Sequence, residues 1–323
     1  MKLSKLLCIL ALGYSLTNCQ TSTKKDIQSR TIEQSRPQKE TQVTPVLIPL
    51  DTLVAFANWT IIDSLLLIES SGTDNSFYLI NLDNFHTIKS FGKKGNGPNE
   101  FIMPHLVRQA PKITVWDNAL HSLYQLSSET GVINQQIQLA TNETFWQPSY
   151  FDSAHLCFVK NSPNELKWVL YNPGTKETTD SIVFTDETQK GNAIQYEFTY
   201  SVNPTQLVIA LNQQNEFSFY HIRQHLLHPL FTVKGETKKG QMYYTDVFTH
   251  AQQIYLLNQE NINMETFEGD SYIDIYTMEG ECTQRLHVGR VVESMLLDEK
   301  HERILLFSPN NEDAIYSLPL SSI

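Results

Sequence analysis

The chain has 323 residues, enough for one large all-β domain or two average ones. Hydrophobic residues make up 41% and charged residues 18%, which excludes a disordered polar chain and a bundle of membrane spans alike. Lys and Arg number 24 against 35 Asp and Glu, a formal charge of −11, so the surface repels a phosphate backbone and nucleic acid is a poor partner. Four Cys are too few for a disulfide scaffold.

Lys2 and Lys5 precede an apolar run over 6–12, after which small and polar residues lead to Cys19. A bilayer needs about 20 apolar residues, so 1–18 is expected to be a secretion signal and not a span. The ending Leu16-Thr17-Asn18-Cys19 resembles the lipobox of bacterial lipoproteins, with Asn18 where that family usually has Gly, Ala or Ser. The resemblance implies cleavage before Cys19, acylation of its thiol and new amino group, and a chain held at the cell envelope by lipid alone. Gln20, by the same analogy, implies sorting to the outer membrane.

Residues 19–45 contain no aromatic residue and only Ile27, Ile32 and Val43 as large apolar ones, so a flexible tether is expected. Residues 46–323 carry 17 Lys and Arg against 32 Asp and Glu, a formal −15. The body is the acidic part. Its two cysteines, Cys157 and Cys282, fall in expected strands and read as buried free thiols.

Six runs share one form: 65–69 (LLLIE), 113–117 (ITVWD), 156–160 (LCFVK), 207–211 (LVIAL), 254–258 (IYLLN) and 304–308 (ILLFS). Their starts are 48, 43, 51, 47 and 50 residues apart. Near-continuous apolar runs of this length suit strands covered on both faces. A polar turn precedes each run, and a second strand follows it, as in 77–82, 122–126, 167–171, 217–222, 271–277 and 314–318. Hairpin turns at 129–131, 172–174 and 278–281 lead into a third strand, and a strand before each polar turn makes four. Four antiparallel strands per unit of ~40 to 50 residues is the arithmetic of a β-propeller blade. The expected fold is therefore all-β, a six-bladed β-propeller over 46–323. The last repeat ends one strand short, and 46–50 supplies a spare strand to close the ring.

The segment 91–101, FGKKGNGPNEF, is similar to a signature of six-bladed propeller lipoproteins abundant in Bacteroidetes, grouped with TolB-like and NHL-like propellers. Gly92, Gly95 and Gly97 would allow backbone angles closed to other residues, while Pro98 stiffens the passage between blades. Glu100 is expected to accept backbone N–H bonds in that loop. The resemblance implies an exported propeller and carries over no reaction.

No G-x-S-x-G, H-E-x-x-H, Walker or C-x-x-C motif is present, and an S-x-x-K at Ser22 to Lys25 lies in the tether. His221, His225 and His228 are assigned to a strand and its turn, with His221 and His228 facing opposite sides, so no metal site and no cofactor is expected there. The insertion 259–271, with Glu260, Glu265, Glu268 and Asp270, is oxygen-rich enough for Ca²⁺ but matches no EF-hand spacing and reads as a solvated loop.

Connections between blades are aromatic, with Phe101, Phe145, Trp146, Tyr150, Phe151, Tyr196, Phe198, Tyr200, Tyr243 and Tyr244. Packing between blades is one use for such rings. Trp146, Tyr150, Tyr196 and Tyr243 are the candidates for a binding face, which with nearby amides would take a peptide, a protein or a glycan. The expectation is a non-catalytic binding propeller. Its alternative is a metal-dependent, lactonase-like hydrolase, for which Asp117, Asn118, Asn142 and Glu100 are the only supply of channel ligands.

Overall fold

Alternate residues of each central run face two different neighbours. In the strand Leu65–Ser70, Leu66 and Ile68 pack toward the last blade while Leu67 packs toward the second; in Gln206–Leu211, Val208 and Ala210 point one way, Leu207 and Ile209 the other. A strand buried on both faces has no polar side to alternate, which is why these segments read as continuous apolar runs. Six clusters of buried side chains result, each filling the gap between two neighbouring blades. Burying one such side chain is worth about 1.5–3 kcal/mol, so the ring is held by many equivalent contacts.

This computed structural model describes residues 29–52, 54–72, 75–139, 145–162, 165–184, 198–263, 266, 268–311 and 313–323. The signal, Cys19 and 20–28, together with Asn142, Glu265 and Tyr196, lie outside the described residues. Among those described, no helix is long and apolar enough to cross a membrane.

The described strands form six sheets, each with four antiparallel strands running outward from a central axis. The innermost strands of blades 1 to 6 are Phe56–Ile62, Pro104–Leu106, Phe145–Tyr150, Phe198–Asn203, Tyr244–His250 and Ser294–Asp298. Closure is as expected: Val46–Pro49 pairs antiparallel with Ala314–Pro319 and becomes the outer strand of blade 6.

The second half of the expected tether departs from flexible chain. Arg30–Glu33 adds a parallel strand to the outer edge of blade 4, and Lys39–Gln42 does the same on blade 5. Val43 is buried among side chains of blades 5 and 6, and Ile32 packs between blades 4 and 5. Gln34 donates to the Tyr276 hydroxyl (3.0 Å) and accepts from the Asn215 amide (2.7 Å). Composition missed this strap because the partner is external. Unpaired outer strands offer backbone donors and acceptors, and four residues at a time need little hydrophobicity to accept them.

The 91–101 loop joins the outer strand of blade 1 to blade 2. Gly92 has φ 78°, and a Cβ there would sit 2.6 Å from Phe77 Cδ2. Gly95 has φ 156°. Gly97 corrects the expectation, since its φ is not in the positive region; a Cβ there would lie 2.9 Å from Glu100 Oε2, the end of a movable side chain. That oxygen accepts from Gly97 N at 2.7 Å, the bond foreseen for Glu100. Pro98 sits in the turn before Glu100–Phe101, which pairs in parallel with Lys93 and Lys94.

Candidate binding channel

The six inner strands enclose two cavities on the ring axis. One, of about 650 Å³, opens at the end that carries the turns between the first and second strands of each blade, here the lower end. The other, of about 400 Å³, opens at the upper end, where the connections between blades gather. Arg108, Gln147 and Asp246 line both cavities and form the waist between them.

Arg108 Nη1 lies 3.6 Å from Asp246 Oδ1, and its Nε donates to Asn58 Oδ1 at 3.2 Å. Asp246 is 3% exposed, and its carboxylate accepts from Val247 N (2.9 Å), Ser294 Oγ (2.7 Å) and Met295 N (3.0 Å). Trp59 Nε1 donates to the same Ser294 hydroxyl at 2.9 Å, so blades 1, 5 and 6 meet at one carboxylate. A buried charge is tolerated where it has several donors, as here. The sequence reading did not single out Arg108 or Asp246. Their only signal was a charge on an inner strand, in Asp246, or just beyond the end of one, in Arg108, visible once the strand order was known.

The expected binding residues do not share one surface. Trp146, at the upper end of its strand, is 39% exposed, and its ring packs on the His105 imidazole with centroids 5.4 Å apart. His105 Nδ1 is 3.2 Å from Glu69 Oε1, while its Nε2 is buried and has no hydrogen-bond partner among the described residues. Tyr150, half-buried, ends the same strand at the lower side, roughly 13 Å away at the usual strand rise. Tyr243 is 2% exposed; its hydroxyl accepts from Lys238 N (2.7 Å) and donates to Glu236 O (3.2 Å), so it packs and caps a connection. Phe101, Phe145, Phe151, Phe198, Tyr200 and Tyr244 are buried as well. Most aromatic connections therefore fill gaps between blades.

The residues offered for hydrolysis are engaged elsewhere. Asp117 is fully buried and accepts from Ile102 N (2.8 Å) and Ala119 N (3.0 Å). Asn118 accepts from Trp116 Nε1 (2.6 Å) and donates to Phe145 O (2.9 Å). Neither they nor Glu100 line the channel.

In the acidic insertion, Glu260 pairs with Arg285, which also grips the fully buried Asp274 through Nε (2.6 Å) and Nη2 (2.8 Å). Asp270 accepts from Gly289 N at 2.6 Å. These carboxylates are tied into the blade instead of standing free in solvent.

His221 and His228 correct a further expectation. They are directly opposite partners on antiparallel strands, and so lie on the same side. His225, in the turn between them, meets Asp152 and His155 of blade 3.

The lower end carries one turn motif twice, Asp152-Ser-Ala-His155 in blade 3 and Asp298-Glu-Lys-His301 in blade 6. In each, the Asp accepts the backbone N–H of the His (2.8 and 3.3 Å), and the imidazole Nδ1 lies within hydrogen-bond reach of the same carboxylate (3.0 Å in both). Each then clasps the next blade. His301 Nε2 meets Asp83 of blade 1 at 2.9 Å, with Lys300 on Asp83 and Arg303 on Asp298. Lys300 and His301 hold the Asp83 carboxyl below its ordinary range. In blade 3 the third partner is instead His225 Nε2, 3.1 Å from Asp152.

No family model matches this chain, and no curated protein matches it in sequence. Solved structures do match in fold. A protein named as exported, from Bacteroides fragilis, is 12% identical with TM-score 0.55, covering 90% of this chain and 99% of its own. A member of the DUF4221 family from Bacteroides vulgatus is 12% identical with TM-score 0.58, over 84% of this chain and 95% of its own. The calcium-binding protein regucalcin from Agrobacterium tumefaciens is 11% identical with TM-score 0.54, over 86% and 95%. At such identities the likeness is one of fold.

Proposed function

We propose that this chain is an exported, non-catalytic binding propeller of the bacterial envelope, tethered by lipid on Cys19 and presenting its upper end to a peptide, a protein or a glycan. The observation that carries the reading is Trp146, the one aromatic ring among the exposed large hydrophobic residues described. It stands near the upper end of its strand, on His105 and next in sequence to Gln147, which with Asn58, Arg108 and Gln259 lines the upper cavity; Trp146 itself is not among the residues that line it. A flat apolar ring beside a few fixed polar groups suits a sugar face or an extended chain. The acidic body favours neutral or cationic partners. Export accords with the signal at 1–18 and with the name of the Bacteroides fragilis neighbour. The TolB-like or NHL-like subtype and the outer-membrane address belong to the same proposal.

Trp146→Ala tests the binding face. Glycan and peptide arrays probed with wild type and variant should show a shared set of ligands lost in the variant, with the melting temperature nearly unchanged. Undiminished binding by the variant sinks the reading. For the tether, Cys19→Ser should move the protein from the detergent phase to the aqueous phase on partitioning.

A further inference from the structure

We propose that Asp152, His155 and His225 form a binding site for a divalent transition metal of the zinc type, clasping blade 3 to blade 4 at the lower end of the ring. One carboxylate oxygen and two imidazole nitrogens lie within 4.8 Å of one another there. Measured to one carboxylate oxygen, Asp152 Oδ2, His155 Nδ1 and His225 Nε2 each lie 3.1 Å away, edges close to those of a tetrahedron with ligands about 2.0–2.2 Å from its centre. Side-chain exposures of 27%, 9% and 42% place the group at the surface, where a fourth ligand can be water.

The comparison with blade 6 separates this cluster from an ordinary ion pair. There the same Asp-x-x-His turn meets a carboxylate, and Lys300 and Arg303 balance the charge. In blade 3 the residue from the next blade is an imidazole, and among the described residues Asp152 is ion-paired with imidazoles alone. One carboxylate with two neutral imidazoles is a donor set for zinc and its neighbours, whereas Ca²⁺ prefers oxygen. The His155 and His225 rings lie 4.1 Å apart with Phe151 against both, which fixes their planes. Gln224 and His225, with φ 52° and 62°, are the two central residues of the tight hairpin that joins the paired Arg223 and Leu226, a turn that needs positive φ at both and that sets His225 at the lower end of blade 4.

Asn172 sets a resistance to binding. Its Oδ1 accepts from Gly174 N (2.9 Å) and Thr175 N (3.2 Å), so its NH₂ faces His155 Nε2 at 3.4 Å. Without metal, His155 therefore accepts at Nε2 and donates from Nδ1 to Asp152. Coordination through Nδ1 moves that proton to Nε2, where an acceptor would serve better than an amide NH₂.

Calorimetric titration of the untagged, metal-free full chain with ZnCl₂ tests the site. Saturable binding of one Zn²⁺ per chain is expected, with a melting temperature that rises with free Zn²⁺. His155→Gln and His225→Asn, the latter because Asn tolerates positive φ, should weaken binding by about 100-fold or more, and His301→Gln should not. Asn172→Asp, which gives Nε2–H an acceptor, should tighten it by about tenfold. Absent saturable binding, undiminished affinity in His155→Gln and His225→Asn, or no tightening in Asn172→Asp overturns the proposal.

Discussion

Arg108 and Asp246 face each other across the ring axis, Nη1 to Oδ1 3.6 Å, one carried by blade 2 and the other by the opposite blade 5. The two ends of the pair are not equivalent. Asp246 is buried and accepts from three other donors, whereas the Arg108 side chain is 30% exposed.

The asymmetry predicts unequal costs. Asp246→Ala strands the Ser294 and Met295 donors between blades 5 and 6 and should cost roughly 3 kcal/mol in urea unfolding. Arg108→Ala should cost roughly 1 kcal/mol, because the Asp246 carboxylate left behind still accepts from Val247 N, Ser294 Oγ and Met295 N. Equal losses would show that the pair, and not the Asp246 acceptor network, holds the waist.

Truncation should resolve the strap from the closing strand. Removing residues up to 44 deletes two parallel edge strands, Gln34 and buried Val43, and should cost roughly 3 kcal/mol while leaving one cooperative transition. Removing residues up to 50 also strips the edge of Ala314–Pro319, and the expected outcome is aggregation or loss of the sharp transition. Guanidinium titrations of the two truncations decide it; an unchanged midpoint in the shorter deletion would mean the strap is only draped on the ring.

The glycines of the 91–101 loop should differ in a ranked way. Gly92→Ala combines positive φ with a clash against the buried Phe77 ring and should cost roughly 3 kcal/mol. Gly97→Ala meets only the end of a movable Glu100 side chain, and should cost about 1 kcal/mol through the lost Gly97 N–H bond. Thermal melts of the two variants give the ranking.

Burial pushes the Cys157 and Cys282 thiols up to about 12 from an ordinary 9.0. Both should resist iodoacetamide at pH 8 in the native protein and react once it unfolds, as read by peptide mass spectrometry. Since the folded pKa is the higher one, the stabilising effect of keeping them neutral is complete below about pH 9 and is lost as pH rises toward 12. Alkylation of either thiol in the native state would contradict their burial.

At Asp152 the balance runs the other way. Burial raises its carboxyl, but hydrogen bonds from Ala154, His155 and His225 outweigh it and hold the group below the ordinary range. The clasp therefore contributes above the unfolded value of 3.8 and is lost as pH falls below it.

Much of the fold was legible because a propeller repeats one local demand. Each second strand must be apolar on both faces, so the runs at 65–69, 207–211 and 304–308 announce themselves, and the missing strand at the end identifies 46–50 as its complement. What faces the axis was not legible. Arg108 and Asp246 have ordinary sequence neighbourhoods, and only the ring sets them opposite each other; Trp146 and Tyr243 stand out equally as aromatic residues of blade connections, and only the packed blades leave the first partly in solvent and bury the second. The strap and the clasps fall on the same side of that line. Arg30–Glu33 becomes a strand only because blade 4 offers an edge, and His225 meets Asp152 from 73 residues away because neighbouring blades bring their turns together. Local pattern decides what a segment can be; contacts between distant segments decide what it touches, and that information exists only once the ring has closed.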